Sequence, residues 1–107
     1  MDNKQKKLVA IINKNIREIC QYELQVDVDF YTITDVWLST DHSYCRVFVS
    51  FFTHPKENVE KLNKVKGFVR SELAHRLDLR RVPEVEFILD DGYEKEKHID
   101  DLLNKKN

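Results

Sequence analysis

A chain of 107 residues, 41% hydrophobic and 35% charged with only 2 Gly and 2 Pro, has the length for one core, and its composition excludes low-complexity disorder over most of it. No run approaches the roughly 18 to 20 apolar residues that span a bilayer. Met1-Asp2-Asn3-Lys4-Gln5-Lys6-Lys7 has no apolar signal core behind it, so a cytoplasmic protein with no membrane partner is expected. Cys20 and Cys45 stand apart in apolar stretches without the short Cys or His spacing of a zinc site, and read as buried or half-buried hydrophobes.

The first predicted helix rests on Leu8, Ile11, Ile12, Ile16, Ile19 and Cys20, which recur at three- and four-residue steps among polar residues, and it ends near Glu23 or Leu24. From Tyr31 the period becomes two, and Thr32, Ile33, Thr34, Asp35, Val36, Trp37 and Leu38 predict a strand. Ser39-Thr40-Asp41-His42-Ser43 supplies turn-forming side chains before a second strand from residue 44 to residue 52, making a hairpin. In that strand Cys45, Val47, Val49 and Phe51 share the uncharged face, which should be the core face.

Pro55 suits the first turn of a second helix, with Thr53 or His54 as cap. Its stripe of Val59, Leu62 and Val65 meets Gly67 before a third helical run of Val69, Leu73 and Leu77, so a bend is expected at the glycine. The third helix should end within Leu79-Arg80-Arg81-Val82-Pro83, because the residue before Pro avoids the helical region. Val85, Phe87 and Leu89 alternate with Glu84, Glu86, Ile88 and Asp90 as a third strand. The predicted fold is α+β, in the order helix, strand, strand, helix, bend, helix, strand, with helices on one face of a three-stranded sheet. One domain over residues 1–92 is followed by a charged tail, 93–107, read as a marginal helix around Ile99, Leu102 and Leu103 or as disorder.

The net charge of −1 lacks the usual basic signature of a nucleic-acid binder, but the charges are unevenly placed. Between residues 61 and 81 lie Lys61, Lys64, Lys66, Arg70, Arg76, Arg80 and Arg81 against only Glu72 and Asp78. Acids gather later, at Glu84, Glu86, Asp90, Asp91, Glu94, Glu96, Asp100 and Asp101. A bipolar chain can present a phosphate-facing side while remaining near neutral. Backbone N–H groups opening the third helix beside Gly67 would suit a phosphate, flanked by Lys64, Lys66 and Arg70. The bland alternative is a solvated helix face, with Arg76 paired to Asp78 or Glu72.

A second candidate surface is Ile33, Trp37, Tyr44, Phe48 and Ile88, which would share the uncovered sheet face as base-stacking or as cross-strand packing residues. His42, His54, His75 and His98 are scattered, and the spacing of Asp90-Asp91 and Asp100-Asp101 matches no metal loop, so neither a catalytic constellation nor a metal or cofactor site is expected.

Three stretches carry a family resemblance. They are Thr32-Ile33-Thr34-Asp35-Val36 with Ser43-Tyr44 and Val47-Phe48-Val49-Ser50-Phe51; Leu62-Asn63-Lys64 with Gly67-Phe68-Val69-Arg70-Ser71-Glu72-Leu73; and Leu77 through Arg80-Arg81-Val82-Pro83-Glu84, followed by Phe87 and Asp90-Asp91. With Ile99-Asp100-Asp101-Leu102-Leu103 they span nearly the whole chain, which resembles the ribosome-binding factor A family and its type II KH-like fold. The resemblance implies a non-catalytic factor that binds immature small ribosomal subunits and assists late maturation of their RNA, with a role in cold adaptation. It implies the subunit and its rRNA as partners, no small-molecule substrate, and a monomer off the ribosome. The family's Ala-X-Gly bend reads Val65-Lys66-Gly67 here. The expected RNA-binding residues are Lys61, Lys64, Lys66, Gly67, Arg70, Arg76, Arg80 and Arg81. The alternative is a protein-binding adaptor that uses the open sheet face or the acidic tail.

Overall fold

Ile12, Ile16 and Ile19 lie at three- and four-residue steps and are all fully buried, so this stripe decides which side of the first helix meets the sheet. The computed structural model describes residues 3–90. Helix α1 (Asn3–Glu18) continues into one π-helical turn (Ile19–Glu23) and stops at Leu24, whose N–H donates to the Ile19 carbonyl. Strands β1 (Tyr31–Leu38) and β2 (Tyr44–Phe51) follow, then helices α2 (Pro55–Lys64) and α3 (Lys66–Arg76), then strand β3 (Glu84–Leu89). The element order is the predicted one. The predicted tail lies outside the described residues, as do the domain boundary and Asp100-Asp101.

The sheet order is β1-β2-β3, with β1 antiparallel and β3 parallel to the central β2. The parallel pair requires a crossover, which α2 and α3 supply while covering one face. Cys45, Val47, Val49, Val85 and Phe87 from that face pack with Leu62, Val69 and Leu73 and with the α1 isoleucines into one core. The hairpin turn forms for the expected reason. The Asp41 carboxylate accepts from the hydroxyls of Ser39 (2.8 Å) and Ser43 (2.6 Å), and the Tyr44 N–H donates to the Ser39 hydroxyl at 3.0 Å. His42 takes a left-handed φ of 63° at its tip.

Five expectations need correction. The register slips between Ile33 and Asp35, and this bulge places Ile33 opposite Val49 on the core side with Val36, away from Trp37 and Phe48. A strict period of two cannot register one extra residue. The other sheet face is also less open than expected, since Phe48 is 0% and Ile88 6% exposed. Arg46 lies along it, with Nε 3.0 Å from Glu86 and its guanidinium carbon 4.9 Å from the Tyr44 ring centre.

Helix α3 ends at Arg76, three residues before the predicted segment, because Leu77 turns extended (φ −123°, ψ 136°) and Leu77 and Leu79 both reach the core. The break between α2 and α3 falls at Val65 (φ −111°, ψ 13°), while Gly67 is the second residue of α3.

The start of α2 also differs from a conventional cap. His54 occupies the capping position with a left-handed φ of 47°, and no side chain caps the helix. Thr53 donates its hydroxyl to Asp29 Oδ2 at 2.7 Å, and Asn58 Nδ2 donates to the same oxygen at 2.9 Å. His54 Nδ1 lies 3.4 Å away, so one carboxylate holds the linker before β1 against the segment after β2. These bonds, the Thr53 hydroxyl first, pull the Asp29 pKa down to about 2.

Candidate nucleic-acid interface

Lys61 and Lys64 lie in the last two turns of α2, and Lys66 and Gly67 open α3; all four are exposed. What fixes this group is Asn63. Its side-chain amide donates to the Phe87 carbonyl at 2.9 Å, and its Oδ1 accepts from the Phe87 N–H at 2.8 Å. The last turn of α2 is thereby fastened to β3, and Lys64 projects from a backbone that cannot slide along the sheet.

At the break itself the Val65 N–H donates to the Leu62 carbonyl at 3.0 Å, and the Phe68 N–H donates to the Val65 carbonyl at 3.1 Å. No side chain caps α3, so its positive end is left to solvent or to an incoming anion. A Cβ placed on Gly67 would meet nothing within 4 Å. The fold therefore does not require a glycine there, and open space borders its backbone. Val65, larger than the family's alanine, is partly buried at the break, and its side chain stays more than 4 Å from a Cβ placed on Gly67.

The remaining cations divide into three situations. Arg70 is half-exposed, yet its guanidinium donates to the carbonyls of Pro83 (3.2 Å) and Val82 (3.1 Å) and lies 3.8 Å from Glu84. It ties the segment entering β3 to α3 one turn beyond the bend. Arg80 and Arg81 are exposed on that segment, where they border a cavity of about 570 Å³ with Leu8, Ile12, Asp41 and His42.

Arg76 turns toward α1. It donates to Asn15 at 3.2 Å and to Glu18 at 3.0 Å, and it also pairs with Glu23. The Glu23 bond raises the Arg76 pKa and, in return, lowers that of Glu23. Glu72 shares a side-chain hydrogen bond with Glu23 and is shifted upward, as expected of a carboxyl holding a proton between two acids. The partners expected for Arg76 were Glu72 and Asp78; the structure supplies Glu18 and Glu23 from the other helix.

The other reactive groups point away from chemistry. Burial pushes the Cys20 thiol up to about 11 and the Cys45 thiol up to about 12, which leaves both as poor nucleophiles. Among the described residues no group of three His, Cys, Asp or Glu side chains is placed to hold a metal ion, and no helix is long and apolar enough to cross a membrane. Asn63 is the positioning residue that sequence reasoning missed. Its signals were its place in the Leu62-Asn63-Lys64 stretch that carries the family resemblance and an amide at the end of a helix, which periodicity alone assigns to the surface.

Comparison with known proteins identifies relatives of this chain. The family model "Ribosome-binding factor A" matches residues 4–103. A ribosome-binding factor A of Natranaerobius thermophilus is 38% identical over 108 residues, covering 97% of this chain and 82% of the relative. A Thermotoga maritima protein solved by NMR, described as a ribosome binding factor A, superposes with a TM-score of 0.67 at 39% identity, over 81% of this chain and 87% of that one. A Thermus thermophilus ribosome binding factor A, fitted as a homology model into a cryo-EM map of its 30S complex, gives a TM-score of 0.59 at 27% identity, over 77% and 90%. With the KH-like order of elements and these matches, the chain belongs to the ribosome-binding factor A family.

Proposed function

We propose that this protein is a non-catalytic, cytoplasmic maturation factor that binds immature small ribosomal subunits through the α2–α3 bend and assists late processing of their RNA, as cold adaptation demands. The observation that carries the reading is the bend itself. Lys61, Lys64 and Lys66 are exposed on a backbone locked by Asn63, beside an uncapped helix start with open space at Gly67. Structured RNA is held mainly through phosphates and shape, and a rigid array of cations around accessible N–H groups suits that mode. Arg80 and Arg81 extend the basic surface, Arg70 aligns the two parts, and Arg76 supports α3 from behind. The protein acts as a monomer off the ribosome. Family membership and the 30S complex of the Thermus relative support the choice of partner.

The test is binding of the purified chain to immature small subunits across a salt series. Replacing Lys61, Lys64 and Lys66 with Glu should weaken binding and reduce the salt slope by about 2 to 3, roughly one for each phosphate no longer neutralised. Unchanged affinity and slope with an intact fold would remove the bend from the interface. Cells lacking the protein should accumulate unprocessed small-subunit RNA most strongly in the cold.

A further inference from the structure

Phe30 and Phe52 are 76% and 94% exposed, and they flank the paired Tyr31 and Phe51 at one end of the β1–β2 ladder. Two phenyl rings in solvent on an otherwise strongly charged chain constitute an apolar surface without a described partner. The chain that carries them is braced on both sides. Asp29 precedes Phe30 and Thr53 follows Phe52, and the 2.7 Å bond between those two side chains joins the backbones just outside the rings. Tyr31 and Phe51 fasten the inner side, with ring centres 5.2 Å apart. A surface ordered in advance loses little freedom when something covers it.

Beside Phe30 a groove of about 590 Å³ runs between the end of α1 and the start of β1. Leu24, Val26, Val28 and Ile33 form its apolar wall, and Asp29 stands at its rim. Arg17, on the opposite side, is occupied by Asn13 at 2.6 Å and the Ile33 carbonyl at 3.0 Å.

Charge selects the occupant. Of the seven acids in residues 21–60, Glu23 pairs with Arg76 and Asp41 lies in the turn at the far end of the hairpin; the two cations are Arg46 and Lys56, the latter exposed beside Glu57. Arg46 is tied up with Glu86 on the sheet face. Asp27, Asp29 and Glu57 are exposed in the segments next to the two phenylalanines, and Asp29 Oδ1 has no hydrogen-bond partner among the described residues. Phosphates of RNA, or of a lipid surface, would meet repulsion here.

We propose that the Phe30–Phe52 end of the sheet docks a basic segment of a protein partner, whose apolar side chains cover the rings and fill the groove while its Arg or Lys groups meet Asp27, Asp29 and Glu57. Cation–π contact with the rings would add to the ion pairs. This surface is separate from the basic bend, so the protein would grip its target at two points by opposite chemistries. Its use on the ribosome rests on the function proposed above; its preference for basic peptides does not.

The test is an NMR titration of the full chain with the peptide Arg-Leu-Arg-Leu-Arg, blocked at both ends, and with its Glu-for-Arg counterpart. The basic peptide should shift the amides of Asp29, Phe30, Phe52 and Thr53 saturably, the acidic one should not, and F30S/F52S should bind the basic peptide about tenfold or more weakly. Equal binding by that variant, or shifts confined to residues elsewhere, would overturn the proposal. K64E/K66E should leave this titration unchanged even where it abolishes subunit binding, which separates failure of one reading from failure of the other.

On immature subunits, a photo-crosslinker at position 52 should yield a protein adduct. An RNA adduct would overturn the proposal, as would the absence of any adduct from a variant that still co-sediments. A chain dimer that disappears in F30S/F52S would instead identify the occupant as a second copy and equally refute the basic-peptide assignment.

Discussion

Lys64 and Arg76 lie on consecutive helices and contribute equally to the basic count between residues 61 and 81, yet their surroundings are opposite. Lys64 is exposed at the bend, on a backbone fixed by Asn63. Arg76 faces the α1–α3 seam, where Glu18 and Glu23 already answer its charge. The difference teaches that a cation's meaning is set by whether the fold has furnished its counter-ion. A neutralised guanidinium serves the fold, and an exposed ammonium on a fixed backbone is available to an outside anion.

The largest effect on this contrast should come from Asn63→Ala. It leaves the Phe87 N–H and carbonyl without their partner and loosens the platform under Lys64, costing about 1–3 kcal/mol in denaturant unfolding. Subunit affinity should then fall although every cation remains. Full stability in that variant would mean that the bend is positioned by something other than the clamp.

Arg76→Met should come next. It should lower the melting temperature, because Glu18, Glu23 and Glu72 are left facing one another, whereas Lys64→Met should leave the melting temperature in place and weaken subunit binding. The reverse pattern would break the comparison.

Acidity sharpens it further. Glu23 has a depressed folded pKa, so its contribution is present above the ordinary carboxylate range and is lost as pH falls through the lowered value. Glu72 has a raised one, so its contribution is present at low pH and is lost as pH rises through the raised value. The seam should therefore contribute most near pH 4 to 5, close to the usual carboxylate values. Glu72→Gln, which keeps a donor toward Glu23 at every pH, should flatten the upper limb. Thermal melts across pH 3 to 8 would show whether it does.

The smallest and most discriminating change is Gly67→Ala. No clash opposes the new methyl group, and alanine favours the helix, so stability should rise by about 0.5–1 kcal/mol. Subunit binding should nevertheless weaken if a phosphate approaches that backbone. A variant that is both more stable and equally tight would move the contact onto the lysine side chains alone.

The order of elements was legible because each periodic run belongs to one element. The stripe Ile12, Ile16, Ile19 and the alternation Cys45, Val47, Val49, Phe51 became the two halves of the core. The bulge before Asp35 was not legible, since Ile33 is equally plausible on either face until its opposite strand is known. The break was placed at Gly67 on propensity, whereas Val65 makes it, because the carbonyls of Leu62 and Asn63 receive its N–H. Among the candidate site residues, the lysines could be read as exposed from their place opposite an apolar stripe. The commitments of Arg70 to Val82 and Pro83, and of Arg76 to Glu18 and Glu23, join residues 12 to 58 positions apart and leave no local trace.

The Asn63 clamp has a further consequence at the border of the sheet. Val85, Phe87 and Leu89 alternate on β3 with residues whose N–H groups serve β2, so their own main-chain groups form a row facing away from β2, the side on which an uncovered strand would pair with a foreign segment. By filling the middle place of that row, Asn63 acts as a one-residue false strand. With Val85 and Phe87 each only 2% exposed, that side of β3 offers a second chain no free row of main-chain groups, and the residue that steadies the bend also closes the border of the sheet.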